Sequence, residues 1–332
     1  MAEMNTYYQD LEQVAGLLPM LSGNILVTGS TGLIGGCLVD LLMRHSQCHV
    51  YAMGRNSQRA ARRFACYQGS ERFHFLQHDI CQPLDSTTRF DYIVHAASNA
   101  SPNFFQQQPV EVMRSNMEGL CHLVEYGRCH EMQRMVYVSS GEIYGECSDS
   151  VFTESSSGYV DILSPRSCYP SSKRAAETLC AAYCQEYGAD IVIARPCHTY
   201  GPYFTESDNR VYAQFIRNVL RGEDIVMKSL GQQYRSWIYV ADCAAALLLL
   251  LAKGQRGEAY NIAHEESNIT IRQLAEKIAA IAGKKVVMDI RDDGNTTPIS
   301  RAVFSTAKLE SLGWRPLFTI DDGLRHTIDA MR

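Results

Sequence analysis

Short apolar runs alternate with helix-spaced stretches through residues 1–200. Ile25-Leu26-Val27 opens the series, and Val50-Tyr51-Ala52-Met53, Phe73 to Gln77, Tyr92 to Ala97, Met135-Val136-Tyr137-Val138 and Ile191-Val192-Ile193-Ala194 continue it. Runs of this length, rich in β-branched and aromatic residues, read as strands. Strands alternating with helices imply βαβ units and a parallel sheet. Tyr7, Leu11, Val14, Leu17 and Leu18 recur at near-helical spacing, which predicts a leading helix over 7–21 on the outside of this layer. Ala244 to Ala252 is the longest apolar run; it is too short to cross a bilayer and reads as a buried helix. Beyond residue 200 the elements shorten and are punctuated by Gly201-Pro202, Gly231, Pro298 and Pro316. Ile269 through Ile281 predicts an amphipathic helix after a Thr or Asn cap. The pattern is that of an α/β protein, a doubly wound parallel sheet with a smaller C-terminal α/β domain. The boundaries read as 1–200, with segments near 233–262 returning to it, and 201–332 for most of the second domain.

The turn after the first strand is Thr28-Gly29-Ser30-Thr31-Gly32-Leu33-Ile34-Gly35. Strand, glycine-rich turn and helix form a phosphate cradle: Gly29 allows the turn, Gly32 lets a pyrophosphate approach, and Gly35 lets helix and strand sit close. The helix N-terminus adds free N–H groups and partial positive charge. This makes Gly29, Thr31, Gly32, Leu33, Ile34 and Gly35 candidate dinucleotide-binding residues. The second strand ends in Gly54-Arg55-Asn56, without the carboxylate that would grip the ribose hydroxyls of NAD. Arg55 is placed to stack on adenine or pair with a 2′-phosphate, which keeps NADP beside NAD. Asp79-Ile80 after strand three and Ala96, Ala97 and Ser98 after strand four complete the cofactor set.

The 332 residues carry a net charge of −5, which argues against nucleic acid or an anionic membrane as the main partner. The 12 cysteines show neither a zinc pattern nor a disulfide framework, so no metal is expected and reduced thiols in a cytosol fit. Met1 to Asp10 carries no basic flank before a hydrophobic stretch, so no signal peptide is read there.

Chemistry gathers at a second motif, Tyr169-Pro170-Ser171-Ser172-Lys173. On a helix Tyr169 and Lys173 share one face. A phenol is a poor base at neutral pH, but a nearby ammonium favours the phenolate. Tyr169 is then a candidate general base toward a hydroxyl, with Ser140 at the end of strand five bonded to the same oxygen.

These motifs together resemble the extended short-chain dehydrogenase/reductase family, the nucleotide-sugar epimerases and dehydratases. The resemblance rests on Thr28–Gly35, Ser140, Tyr169-x-x-x-Lys173 and Asn116, and spans nearly the whole chain. It implies a Rossmann-type domain holding NAD or NADP, with Asn116, Ser139, Tyr169, Lys173 and Pro196 in the cofactor set. It also implies a second domain holding a nucleoside diphosphate sugar, and transient oxidation at the sugar C4. Within the family the likeness is closest to UDP-glucuronate decarboxylases. It is carried by Ala97 to Asn103, Pro165-Arg166-Ser167-Cys168-Tyr169, Lys173 to Thr178, His198 to Pro202 and Asn209-Arg210-Val211.

That likeness makes Glu142 an acid/base carboxylate and gives Ser101, Arg166, His198, Arg210, Arg235 and Arg301 to the substrate. Asp242 and Asn261 are expected to be structural. Gly141 departs from the family: decarboxylases carry Ser there and many 4,6-dehydratases carry Asp. His198 stands where Asn is frequent. The 4-epimerase stays close behind, followed by an NADPH-dependent 4-keto-sugar reductase and the dehydratase; a dinucleotide-sensing scaffold is the non-enzymatic alternative. The resemblance further implies a homodimer through the Asn103–Arg128 and Tyr169–Gly188 helices, with Cys180, Ala181, Tyr183 and Cys184 as interface candidates.

Overall fold

In chain order the computed structural model, which describes residues 5–290 and 301–332, runs α1 (Thr6–Ala15), β1 (Asn24–Thr28), α2 (Leu33–His45), β2 (His49–Gly54), α3 (Ser57–Arg63), β3 (Phe73–Gln77) and β4 (Tyr92–His95). Next come α4 (Pro102–Gln107), α5 (Pro109–Cys129), β5 (Arg134–Val138), α6 (Cys168–Tyr187), β6 (Ile191–Pro196), β7 (His198–Tyr200), α7 (Val211–Leu220) and β8 (Ile225–Met227). The remainder is β9 (Tyr234–Tyr239), α8 (Val240–Lys253), β10 (Ala259–Ile262), β11 (His264–Thr270), α9 (Ile271–Ala282), β12 (Val286–Met288), β13 (Arg301–Ala302), α10 (Ala307–Glu310) and α11 (Ile320–Met331). Pro298 lies outside the described residues.

Seven strands form the main sheet in the order β10-β6-β5-β4-β1-β2-β3, and every described pairing in it is parallel. The chain leaves β1 in one direction toward β3 and returns in the other through β4. This places a crevice at the carboxyl ends of β1 and β4, where doubly wound sheets bind ligands. Helix α8 is buried from Val240 to Leu251 and packs across β4, β5 and β6 on one side and α1 and α2 on the other. A helix apolar on all sides needs such a double cover.

The leading helix is shorter than its apolar spacing predicts. It ends at Ala15, and Leu17 and Leu18 lie beyond it. Leu18 precedes Pro19, whose ring disfavours the helical conformation of the residue before it. The C-terminal amphipathic helix begins at Ile271, after a Thr270–Gln273 capping box.

The return of the chain to the first domain is made by α8 and β10. Residues 234–239 instead form β9 at the centre of a second sheet with β7, β11 and β13. Two strands pass almost directly from one sheet to the other. Only Cys197 separates β6 from β7, and only Ala263 separates β10 from β11. Cys197 N donates to Ile262 O at 2.9 Å across the two crossings.

Three hubs tie the elements together. Asp40 on α2 is fully buried, accepts from Tyr7 (2.8 Å) and Tyr67 (3.0 Å), and is paired with Arg63 of α3. Asn261 accepts from Tyr144 Oη at 2.6 Å and donates to Phe152 O and Ser305 O. Asp242 accepts from the backbone N–H groups of Leu317 and Phe318, one on each oxygen, which anchors α8 to the C-terminal segment.

Candidate active site

Gly29 has φ +66°, and a Cβ there would stand 2.8 Å from Ala97 Cα, so the turn after β1 needs a residue without a side chain. A Cβ on Gly35 would approach Ser30 Cα to 2.9 Å. The end of β1 is pinned to the end of β4 by Thr28, whose Oγ1 lies 2.8 Å from His95 Nδ1 and accepts from Ala97 N. From this base a cavity of about 580 Å³ opens. It is lined by Gly29, Thr31, Gly32, Leu33, Ile34, Gly35, Arg55, Asn56, Asp79, Ile80, Ala96, Ala97 and Ser98. At Gly32 an added Cβ meets only Gly29 O, at 3.2 Å, and would otherwise enter this space. The residues therefore fit a dinucleotide: bare backbone at the turn, the N-terminus of α2 behind it, and polar groups along the far wall.

Two of the predicted cofactor residues also do local structural work. Asn56 caps α3 by accepting from Arg59 N, and Asp79 accepts from Cys81 N in a turn. Asn116 does not line the cavity. It is fully buried, accepts from Ser98 Oγ at 2.8 Å and donates to Ser172 Oγ at 2.9 Å, tying the end of β4 to α6. Arg55 and Arg59 line the first cavity just beyond β2, whose end carries no carboxylate. Arg55→Ala is therefore expected to weaken NADP by about tenfold, the size of one charge-assisted contact, and NAD far less. Fluorescence titration of both dinucleotides checks this.

A second cavity, of about 570 Å³, shares Ile34, Ala96, Ser98, Ala100 and Arg210 with the first, so the two meet. Its lining brings together Ser139, Ser140, Glu142, Arg166, Tyr169, Lys173, Pro196, His198 and Arg235. Ser140 caps the short turn Gly141–Tyr144 and accepts from Glu142 N at 3.1 Å. Glu142 is held by Arg166, with Nη1 to Oε2 at 3.1 Å. Ser139 Oγ is buried without a protein partner among the described residues.

Tyr169 opens α6 with its ring stacked on Phe105, centroids 4.7 Å apart and 19° between planes. Burial pushes its phenol up to about 12; the hydrogen bond with Ser140 pulls it back, Glu142 raises it, and Arg210 and Arg166 lower it. Lys173 is buried one turn along and donates to Val138 O at 2.8 Å, its Nζ 5.9 Å from the Tyr169 ring centre. Burial pushes this ammonium down to about 7, against the pull of Glu177. Burial rather than Lys173 is thus the largest influence on Tyr169, and the phenol holds its proton at neutral pH.

The remaining substrate candidates divide. Arg235 faces the second cavity, and burial lowers it to about 10. His198 lines the same cavity as a neutral imidazole, pushed down to about 3 by burial and by Arg235 and Arg210. Arg210 is committed to Asp208 at 2.5 Å and also reaches Tyr212 Oη. Ser101 lines the first cavity and is bonded to Asn209. Arg301 does not line either cavity. It lies exposed on β13, donating to Ser150 O at 3.0 Å with its guanidinium 4.8 Å from the Tyr234 ring centre.

Sequence reasoning passed over Phe105, Phe152, Tyr159 and Phe304. They sit in loops and short elements with no motif around them, and only the tertiary fold brings them to the site. Among the described residues there is no cluster of metal-binding side chains and no helix long and apolar enough to cross a membrane.

The chain matches the NAD dependent epimerase/dehydratase family over residues 25–263. It belongs to that family. It is 33% identical over 300 residues to UDP-glucuronic acid decarboxylase 6 of Arabidopsis thaliana, covering 90% of this chain and 86% of the relative. Against UDP-glucuronic acid decarboxylase 1 of Xenopus tropicalis it is 30% identical over 309 residues, covering 93% and 72%. Among solved structures it superimposes on UDP-glucose 4-epimerase of Thermotoga maritima with a TM-score of 0.81 at 26% identity, covering 92% of this chain and 98% of the other. A dTDP-glucose 4,6-dehydratase of Streptomyces venezuelae with NAD bound gives the same TM-score and identity, over 92% and 96%. These solved members share the α/β fold of this chain, a parallel sheet flanked by helices.

Proposed function

We propose that this family member is a UDP-glucuronic acid decarboxylase that works through transient oxidation at the sugar C4. The observation that carries the reading is one cavity lined by Tyr169, Ser140 and the Glu142–Arg166 pair, with no acid at position 141 to drive dehydration. The decarboxylase relatives support the choice of substrate. Gly29 to Gly35 and the ends of β4 and β5 would hold NAD, which supplies the oxidant for C4 and restores C4 at the end.

In its phenolate form, the minor form at neutral pH, Tyr169 takes the proton of the C4 hydroxyl, and Ser140 bonds the same oxygen. With C4 a ketone, the carboxylate on C5 is β to it. The bond from C5 to that carboxylate breaks, CO2 leaves, and the electron pair moves onto the C4 oxygen as an enolate. Glu142, oriented by Arg166, handles the proton that returns to C5. Arg235 and Arg210 supply positive charge for the diphosphate. The same reading includes a homodimer through α5 and α6, which lie side by side and expose Val110, Met113 and Tyr187. Cys180 is buried against the main sheet, Tyr183 and Cys184 are half-buried beside it, and Ala181 is the outward candidate.

Incubation with UDP-glucuronic acid and NAD+, read by mass spectrometry and NMR, tests the proposal. Loss of CO2 is expected, and Glu142→Gln is expected to slow it by about 10²-fold, the size of one acid/base group. Unchanged mass with C4 inverted would make the protein an epimerase. Steady consumption of NADPH with a 4-keto sugar would make it a reductase.

A further inference from the structure

Gly141 stands between Ser140 and Glu142, two of the residues given to the chemistry, yet its backbone does not ask for glycine. Its φ lies outside the left-handed region that favours glycine. What forbids a side chain is Phe304. A Cβ built on Gly141 would stand 2.7 Å from Phe304 Cε1 and closer still to Cζ.

The ring cannot easily yield. Phe304 is 2% exposed and meets Phe152 edge-on with centroids 5.6 Å apart. It lies 5.5 Å from the Tyr144 ring, and its backbone N–H donates to Ser236 Oγ at 3.1 Å. A bridge to Phe152 fixes the backbone as well. Phe304 and Gly141 both line the second cavity, together with Phe152, Ala302 and Cys197. The remainder of that lining is rich in charge, with Glu142, Arg166, Asp161 and Arg235. The apolar residues thus form one patch of a wall that is otherwise charged.

We propose that Phe304 and Gly141 act as a pair that sets the specificity of the sugar subsite, Phe304 presenting an apolar face where a side chain at position 141 would otherwise reach the substrate. The proposal rests on the reading of this cavity as the nucleotide-sugar site. A hexose that needs a hydrogen bond from position 141 finds none. A hexose that presents C–H bonds there, or a group held by the arginines instead, is accepted. The two positions work as one unit because a hydroxyl at 141 and a ring at 304 compete for the same space.

The test is a double-mutant cycle of Gly141→Ser, Phe304→Ala and the double variant, each checked for NAD content and melting temperature. Calorimetry measures binding of UDP-glucuronic acid, UDP-glucose and UDP alone. Gly141→Ser is expected to weaken both sugar nucleotides by about tenfold or more, the range of an overpacked contact, and to leave UDP nearly unchanged. Phe304→Ala is expected to shift the ratio of the two sugar affinities, and the double variant to recover most of the Gly141→Ser loss.

Losses that simply multiply, or affinities for UDP that fall in parallel with those for the sugars, overturn the pairing. So does a set of variants whose ratio of sugar affinities never moves, or a wild-type protein that binds UDP and both sugars alike. If Gly141→Ser fails to fold, Phe304→Ala and Phe304→Leu decide by the ratio of sugar affinities alone. A wild-type protein that discriminates between these ligands but releases no CO2 refutes decarboxylation and leaves the pairing to be judged by the same binding cycle.

Discussion

Phenylalanine at position 169 is expected to cut turnover of the nucleotide sugar by about 10²- to 10⁴-fold, the range of a lost general acid–base group, while bound NAD stays in place. The expectation follows from how the residue is held. Its ring is fixed by the stack on Phe105 and by its place in the first turns of α6, and neither contact uses the hydroxyl. Removing one oxygen therefore leaves the packing intact and subtracts only the proton chemistry and the bond with Ser140. Burial holds the phenol at about 12, so the wild-type reaction should quicken as pH rises from 7 toward 9 and more of the base form is drawn out. In Tyr169→Phe that rise should vanish. The measurement is kcat against pH for both proteins, with the NAD content of each determined after denaturation. A variant that keeps more than about a tenth of wild-type turnover would move the base elsewhere.

Alanine at position 40 should be the most damaging single change to stability outside the cavities. Asp40 is fully buried on α2, the helix that starts at the glycine turn, and meets Tyr7 from α1, Arg63 from α3 and Tyr67. Removing one partner of a buried ion pair leaves the other charge without compensation, at a cost of about 3–5 kcal/mol. Two phenol hydroxyls lose their acceptor at the same time. The unfolding midpoint in urea should drop accordingly, and Asp40→Asn, which keeps an acceptor, should fall between the two. An unchanged midpoint for Asp40→Ala would show that the site relaxes or hydrates without loss.

These two residues also mark how far the sequence can be read. Tyr169 could be singled out because Lys173 stands four residues away on the same helix, and both line the second cavity. The turn at Thr28–Gly35 was legible for the same reason, since each glycine answers to a neighbour within a few residues. Asp40 gave no signal, because its three partners come from separate elements and each looks like an ordinary polar residue. The arginines after β2 show the same limit. Arg63 turns inward to Asp40, while Arg55 and Arg59 face the dinucleotide cavity. Arg301 failed in the opposite sense: resemblance gave it to the substrate, whereas its guanidinium is engaged with Ser150 and Tyr234. Segments near 233–262 were expected to return to the first domain; β10 does, while β9 joins the second sheet, because apolar alternation alone does not tell a strand which sheet it joins.

The crossings at Cys197 and Ala263 bear on how the protein opens and closes. Two strands, side by side and joined by the Cys197–Ile262 hydrogen bond, run from the dinucleotide layer into the substrate layer with a single residue of slack in each. A hinge needs a few residues free to change their backbone angles, and a pair of short parallel tethers resists both bending and twisting. Bulk rotation of one layer over the other would shear that joint. The two cavities that meet above this joint are thereby held at a fixed distance from one another.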